Sequence, residues 1–258
     1  MPSNENSPFI KRPDNRSTII WRYMSTEKYL YLICFRKLFF SRADKLDDNF
    51  EGSWTKLDAE KRRLSHEKMF SPKEGMPKDF IEKDIENMMK IQKNMTKKTF
   101  LNCWHVNTQE SLAMWQTYGA LGKAIVIQST YETLHNCVDE RVTLGLVEYK
   151  DYENESFFDD QRKAASPFYF KRKAYEYEKE LRASIQRMKW GVVDPNEQFD
   201  ENEKGMEIDI DVNKLIGKVI VSPKTADWLF EILKAVTKKY EYKFSVEKSI
   251  LDANPLFI

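Results

Sequence analysis

The sequence predicts an α+β fold. Short runs rich in β-branched and aromatic residues are scattered among amphipathic helical stretches, without a regular βαβ alternation. Residues 55–98 differ from the rest, carrying charges of both signs and few β-branched residues. A chain of 258 residues is long enough to bury a substantial core.

Residues 1–16 are polar, hold Pro2, Pro8 and Pro13, and are expected to form a flexible N-terminal arm. Residues 17–258 are expected to form one α+β domain. Ile19-Ile20-Trp21-Arg22-Tyr23 reads as a strand, and Ser25-Thr26 caps a following helix with Tyr29, Leu30, Ile33 and Cys34 as its apolar residues. Leu38-Phe39-Phe40 reads as a second strand, leading into an acidic loop at 41–52. In the stretch 55–98, Ser71-Pro72 and Gly75-Met76-Pro77 divide two helices, which we read as an insertion. The second helix packs through Ile81, Ile85, Met88 and Met95. Strand character returns at 99–104, a helix is expected at 111–118, and strands follow at 123–127 and 143–149. Segments 181–188 and 206–212 alternate well enough to pair across an acidic loop at 191–205. Lys218-Val219-Ile220-Val221 runs into Ser222-Pro223, which reads as an N-cap followed by a helix-starting proline. That helix presents Trp228, Leu229, Ile232, Leu233 and Val236 to a core.

Composition excludes several classes. Apolar residues make up 41% and charged residues 32%, against about 25% charged in typical proteins. The net charge of +1 gives no global attraction to nucleic acid or an anionic membrane. The longest apolar run, 29–35, is too short to span a bilayer, and the N-terminus lacks the regions of a signal peptide. Three cysteines without CxxC spacing argue for a reducing compartment, so the expected location is the cytoplasm. His66, His105 and His135 have no metal-ligand spacing, and the HExxH, GxSxG, P-loop and GxGxxG patterns are absent. An enzyme of this composition works through carboxylates, arginines and aromatics, without a metal.

The tract Tyr175-Glu176-Tyr177-Glu178-Lys179-Glu180-Leu181-Arg182 is the candidate centre. If 176–188 is extended, Glu176, Glu178, Glu180 and Arg182 share one face, and Tyr177, Leu181, Ala183 and Ile185 share the other. Same-face carboxylates about 6.6–6.8 Å apart repel unless a cation or ligand hydroxyls sit between them. Such a pair suits glycosyl transfer, in which positive charge develops on a sugar carbon. A helix from about 171 is the competing reading, with Glu178 and Arg182 as an ordinary i,i+4 pair. Ser111, Trp115 and Tyr118 share a helical stripe whose rings either stack on a flat ligand or fill a core. Arg22, flanked by Trp21 and Tyr23, suits either a phosphate or a surface ion pair.

The segments Trp21-Arg22-Tyr23, Leu38-Phe39-Phe40-Ser41 with Asp48-Asn49-Phe50-Glu51, and Cys103-Trp104 carry a resemblance, continued by Ser111-Leu112-Ala113-Met114-Trp115-Gln116-Thr117-Tyr118, Gly122-Lys123-Ala124-Ile125, Val147-Glu148-Tyr149-Lys150-Asp151 and Tyr177-Glu178-Lys179-Glu180-Leu181-Arg182. In that order they resemble a largely uncharacterised bacterial and phage family known as domain of unknown function 2971, over about residues 19–225. A second resemblance is to the ADP-ribosyltransferase-like fold. It implies a mixed, largely antiparallel split sheet with flanking helices, and NAD as substrate. It also implies that Glu180 holds the ribose and stabilises the oxocarbenium, while Glu178 orients or deprotonates the acceptor. Arg22 would contact the pyrophosphate, Ser41 or Ser111 would fill the serine position, Trp115 or Tyr118 would flank the nicotinamide, and Tyr23 and Arg182 would complete the cofactor site.

The expected function is thus NAD-dependent ADP-ribosyl transfer to a macromolecular acceptor, as in a toxin or phage-defence effector. The alternatives are a non-catalytic nucleotide- or nucleic-acid-binding sensor, and a nuclease-like protein using Asp44, Asp47 and Asp48.

Overall fold

The computed structural model describes residues 10–69, 80–119, 122–157, 167–187 and 194–253. β1 (Ile19–Ser25) buries Ile20 and Met24 on one face and Trp21 and Tyr23 on the other. Ser25 ends the strand and caps α1 (Thr26–Phe35), its hydroxyl accepting from the Lys28 N–H. Tyr29, Leu32 and Ile33 are the buried stripe of α1, while Cys34 is exposed. β2 (Lys37–Arg42) alternates strictly between buried and half-buried residues, as a strand with one core face must. A 3-10 turn at Ala43–Lys45 follows, then α2 (Lys56–Met69) and α3 (Phe80–Lys98). The expected helix breakers Pro72 and Pro77 lie outside the described residues.

The chain continues through β3 (Thr99–Val106), α4 (Leu112–Tyr118), β4 (Ala124–Thr130) and α5 (Tyr131–Cys137). Then come β5 (Thr143–Leu146), β6 (Glu148–Lys150), β7 (Phe170–Arg172), β8 (Glu180–Gln186) and β9 (Gly205–Asp209). α6 (Val212–Leu215), β10 (Lys218–Val221), α7 (Asp227–Lys239) and β11 (Ser245–Lys248) complete it.

The result is α+β with a mixed, largely antiparallel open sheet of nine strands, in the order β11-β10-β4-β1-β3-β2-β9, with β8 also on β3 and β5 on β8. β6 and β7 form a separate parallel pair. β3 organises the sheet. One of its edges pairs with β8 along Thr99 to His105. The other is divided, because Trp21↔His105 joins it to β1 and Ser41↔Leu101 joins it to β2. Between these joints β1 and β2 diverge, so residues 102–104 have no ladder partner on that edge. Side chains fill the gap: the Asn102 amide donates to the Phe39 carbonyl at 2.8 Å, and Arg22 Nη2 reaches the same oxygen at 3.5 Å. The sheet is therefore split at its middle.

One face of the sheet carries the main core, built with residues from α1, α5, α6 and α7. On the other face α4 packs Met114 and Trp115 against Trp21, Tyr23, Val126 and Ile220.

Several expectations are corrected. Strand β9 does not pair with β8. It pairs with β2 (Leu38↔Ile208), because β8 is already flanked by β3 and β5. The strand expected at 143–149 is cut in two at Val147, whose N–H bonds the Glu180 carbonyl. Ser222 does not cap a helix, since α7 begins at Asp227. The Ser222 hydroxyl instead accepts from the N–H groups of Gly122 and Ala124. On α7, Leu233 is buried, but Trp228 and Ile232 face solvent at 66% and 48% exposure. The described part of the N-terminal arm is docked: the Lys11 carbonyl accepts from Leu146 N–H, and Ile10 lies against Gly145, where a Cβ would clash. Among the described residues, no helix is long and apolar enough to cross a membrane.

Candidate functional site

A cleft of about 390 Å³ lies over the split. Its floor comes from β1, β3 and β8, which project Tyr23, Cys103, His105, Glu180 and Arg182. α4 contributes Tyr118, β2 contributes Ser41, β7 contributes Lys171, and the 45–51 loop adds Asp48 and Glu51.

The candidate tract is neither one strand nor one helix. A 3-10 turn spans Lys173–Glu178, Lys179 turns the chain with φ 41° and ψ 58°, and β8 starts at Glu180. Glu176 and Glu178 are therefore off the strand, which corrects the extended reading. Tyr177 is 42% exposed, whereas Leu181, Ala183 and Ile185 enter the core as expected. The corner is held by the Lys179 carbonyl accepting from Val106 N–H and the Glu178 carbonyl meeting His105 Nδ1 at 2.5 Å. It brings Glu178 round to face the same cleft as Glu180.

Arg182 is fully buried. Its Nε and Nη2 donate to Glu180 at 2.8 and 3.1 Å, Nη1 and Nη2 to Glu51 at 2.5 and 2.8 Å, and Nη1 also to the Phe168 carbonyl at 2.6 Å. All five guanidinium N–H donors are thereby used. The expectation that Arg182 binds a cofactor is corrected: it has no donor left and anchors two carboxylates instead. It is no i,i+4 partner of Glu178 either.

Lys171 bridges the acidic pair, bonding one oxygen of Glu178 and lying 3.5 Å from Glu180 Oε2. The other Glu178 oxygen accepts from the Tyr118 hydroxyl at 2.7 Å. The two carboxyls are pushed apart in acidity. Burial drives the Glu180 pKa upward, but Arg182 and Lys171 outweigh it and hold Glu180 at about 2. Burial raises Glu178 above the ordinary carboxylate value, and the neighbouring Glu180 charge adds to the rise against Lys171. Glu180 is thus held ionised while Glu178 is shifted towards its protonated form, so the two carboxyls differ in acidity.

Arg22 stands apart. It is half-buried in the gap, and burial lowers its pKa to about 10, which leaves it charged at neutral pH. Among the described residues no carboxylate lies within ion-pair distance of it, and its one hydrogen bond is the long contact to Phe39. It faces the cleft with Lys28. The cleft is thus polarised, with an uncompensated cation at the split and two buried carboxylates at the β8 corner.

The remaining predicted residues separate cleanly. Tyr23, Ser41 and Tyr118 line the cleft. Ser111 does not: its hydroxyl caps α4 by accepting from Met114 N–H, and its own N–H donates to the Tyr23 hydroxyl at 2.9 Å. Trp115 is fully buried, packs edge-on against Tyr23 at 4.9 Å, and donates from Nε1 to Glu110. It braces a cleft residue from behind and has no face for a ligand. Asp44 is taken by Arg42 at 2.7 Å and Asp48 by Arg172 at 2.7 Å, while Asp47 is exposed at the cleft, so the three aspartates do not act as one group. Among the described residues no three His, Cys, Asp or Glu side chains converge as a metal group.

Sequence reasoning missed Glu51, Lys171 and His105. Glu51 had one trace, its place in Asp48-Asn49-Phe50-Glu51. Lys171 carried no local signal. His105 was weighed only as a metal ligand, and it lies just past the strand expected at 99–104.

Comparison with family models, with characterised proteins and with solved structures returned no match for this chain.

Proposed function

We propose that the cleft binds NAD and transfers its ADP-ribose to a macromolecular acceptor, in line with the resemblance to ADP-ribosyltransferase-like proteins. The observation that carries this reading is the polarity of the cleft, with Arg22 free at one end and Glu178 and Glu180 buried at the other. The pyrophosphate takes the arginine end, where a planar guanidinium suits bidentate contact. The ribose then lies towards Glu180. As the bond from ribose C1 to the nicotinamide nitrogen breaks, nicotinamide leaves with the electron pair and positive charge develops on the ribose. The ionised Glu180 stabilises that charge. The acceptor nucleophile bonds C1 and gives up its proton, which Glu178 receives.

The test combines NAD titration by calorimetry with nicotinamide release in cell extract. Wild type is expected to bind and turn over. Arg22→Met is expected to weaken NAD binding about tenfold or more, and Glu180→Gln to bind within a few-fold of wild type with turnover lost. Equal turnover by Glu180→Gln removes the residue assignment, and absence of NAD binding removes the reading.

A second reading has its own support. Lys171 and Arg182 already neutralise both carboxylates from within. A cleft so compensated also suits a nucleotide sensor that binds without turnover, and NAD binding with no nicotinamide release under any acceptor would favour it.

A further inference from the structure

His105 is 2% exposed, and its ring forms part of the cleft wall. Its two nitrogens have different fates. Nδ1 meets the Glu178 carbonyl at 2.5 Å, and because a carbonyl only accepts, Nδ1 must carry the proton. Burial lowers the His105 pKa, so the ring is neutral near pH 7. Nε2 is then a bare acceptor, and it is buried with no hydrogen-bond partner. Buried polar atoms are normally paired, so this nitrogen marks a missing donor. The surroundings describe that donor. Tyr23 stands edge-on to the imidazole at 6.0 Å, Trp21 is its neighbour across the β1–β3 joint, and Glu180 is its neighbour across β3–β8. Aromatic walls beside an acceptor suit a flat ring bearing an N–H group.

We infer that His105 is a specificity residue whose Nε2 accepts a hydrogen bond from the carboxamide N–H of the nicotinamide ring. The inference rests on the NAD reading and narrows it. An acceptor here rewards an amide and opposes the carboxylate that replaces it in nicotinic acid adenine dinucleotide. Its second bond, to Glu178, makes His105 also a positioning residue for the corner.

The experiment is a binding cycle: NAD and nicotinic acid adenine dinucleotide against wild type, His105→Phe and His105→Gln. Wild type is expected to prefer NAD by about tenfold or more, since the analogue leaves the acceptor unpaired. His105→Phe is expected to erase most of that preference while weakening NAD about fivefold. His105→Gln, whose amide offers either an oxygen or an N–H, is expected to bind NAD more tightly than His105→Phe and to show a reduced preference. Glu180 acts on both ligands in every variant, so its contribution cancels in the cycle. A readout independent of the variants is the ¹⁵N spectrum of the imidazole in the wild-type protein. Nε2 is expected to be unprotonated in the free protein and to shift on adding NAD. A protonated Nε2, or an unchanged preference in His105→Phe with NAD binding intact, overturns the inference and leaves the NAD reading standing. Absence of NAD binding to wild type overturns both.

Discussion

Arg182 and Arg22 line the same cleft with opposite surroundings. Arg182, on β8, has five donors and five acceptors, supplied by Glu51, Glu180 and the Phe168 carbonyl. Arg22, in the gap between β1 and β2, has one long contact to a backbone oxygen. A saturated arginine fixes geometry, because each donor specifies where an acceptor must stand. An unsaturated one keeps its charge for something that arrives later. The difference follows from topology: β8 lies inside a continuous ladder, where a buried charge must be paired, whereas the fork leaves Arg22 beside backbone and open cleft.

Removing the saturated arginine is expected to have the largest effect. Arg182→Met strands Glu51 and Glu180 in the interior, and breaking such buried pairs costs about 3–5 kcal/mol. The urea midpoint should fall accordingly, or the cooperative transition disappear. Arg22→Met is the converse. Its stability should change by less than about 1 kcal/mol, while NAD affinity falls tenfold or more, the scale of charge-assisted bonds worth about 1.5–3 kcal/mol. Equal destabilisation by the two variants would erase the distinction.

Acidity gives a third probe. Glu180 is held at about 2, below the ordinary 4.5. The stability it contributes is therefore complete above about pH 4.5 and is lost as the pH falls towards 2. Glu51 and Glu178 are shifted upward, so their contribution is present at low pH and lost as the pH rises. Acid unfolding between about pH 4.5 and 2 should be steeper in wild type than in Glu180→Gln, measured by urea midpoints across that range. The smallest effect is expected of Tyr118→Phe, which removes one hydrogen bond to Glu178 and should cost about 1 kcal/mol in thermal or urea denaturation.

Local signals in the sequence were faithful. Ile19, Ile20, Trp21 and Tyr23 showed where β1 runs, Ser25 and Ser111 marked helix starts, and Leu181, Ala183 and Ile185 identified the inner face of β8. What failed was long-range. Nothing near β9 says that it docks on β2, because its alternation fits any partner with one apolar face. Trp115 and Tyr118 share one helix, and only the packing of α4 decides which ring meets the cleft. Glu51 lies 131 positions from Arg182, and no periodicity links residues so far apart. Ser222-Pro223 looked like a helix start, but tertiary donors at Gly122 and Ala124 claimed the hydroxyl first.

Lys179 bears on how sharply the β8 corner is defined. A lysine at φ 41° carries local strain on the order of 1 kcal/mol, which glycine would relieve. Glycine would also enlarge the conformational freedom of the unfolded chain by a similar free energy, about 0.4–1 kcal/mol. The two effects nearly cancel, so the lysine makes the turn stiffer at almost no net thermodynamic cost. Stiffness is what Glu178 needs there: a looser joint would let its carboxylate wander from Tyr118 and Lys171 without making the protein easier to unfold.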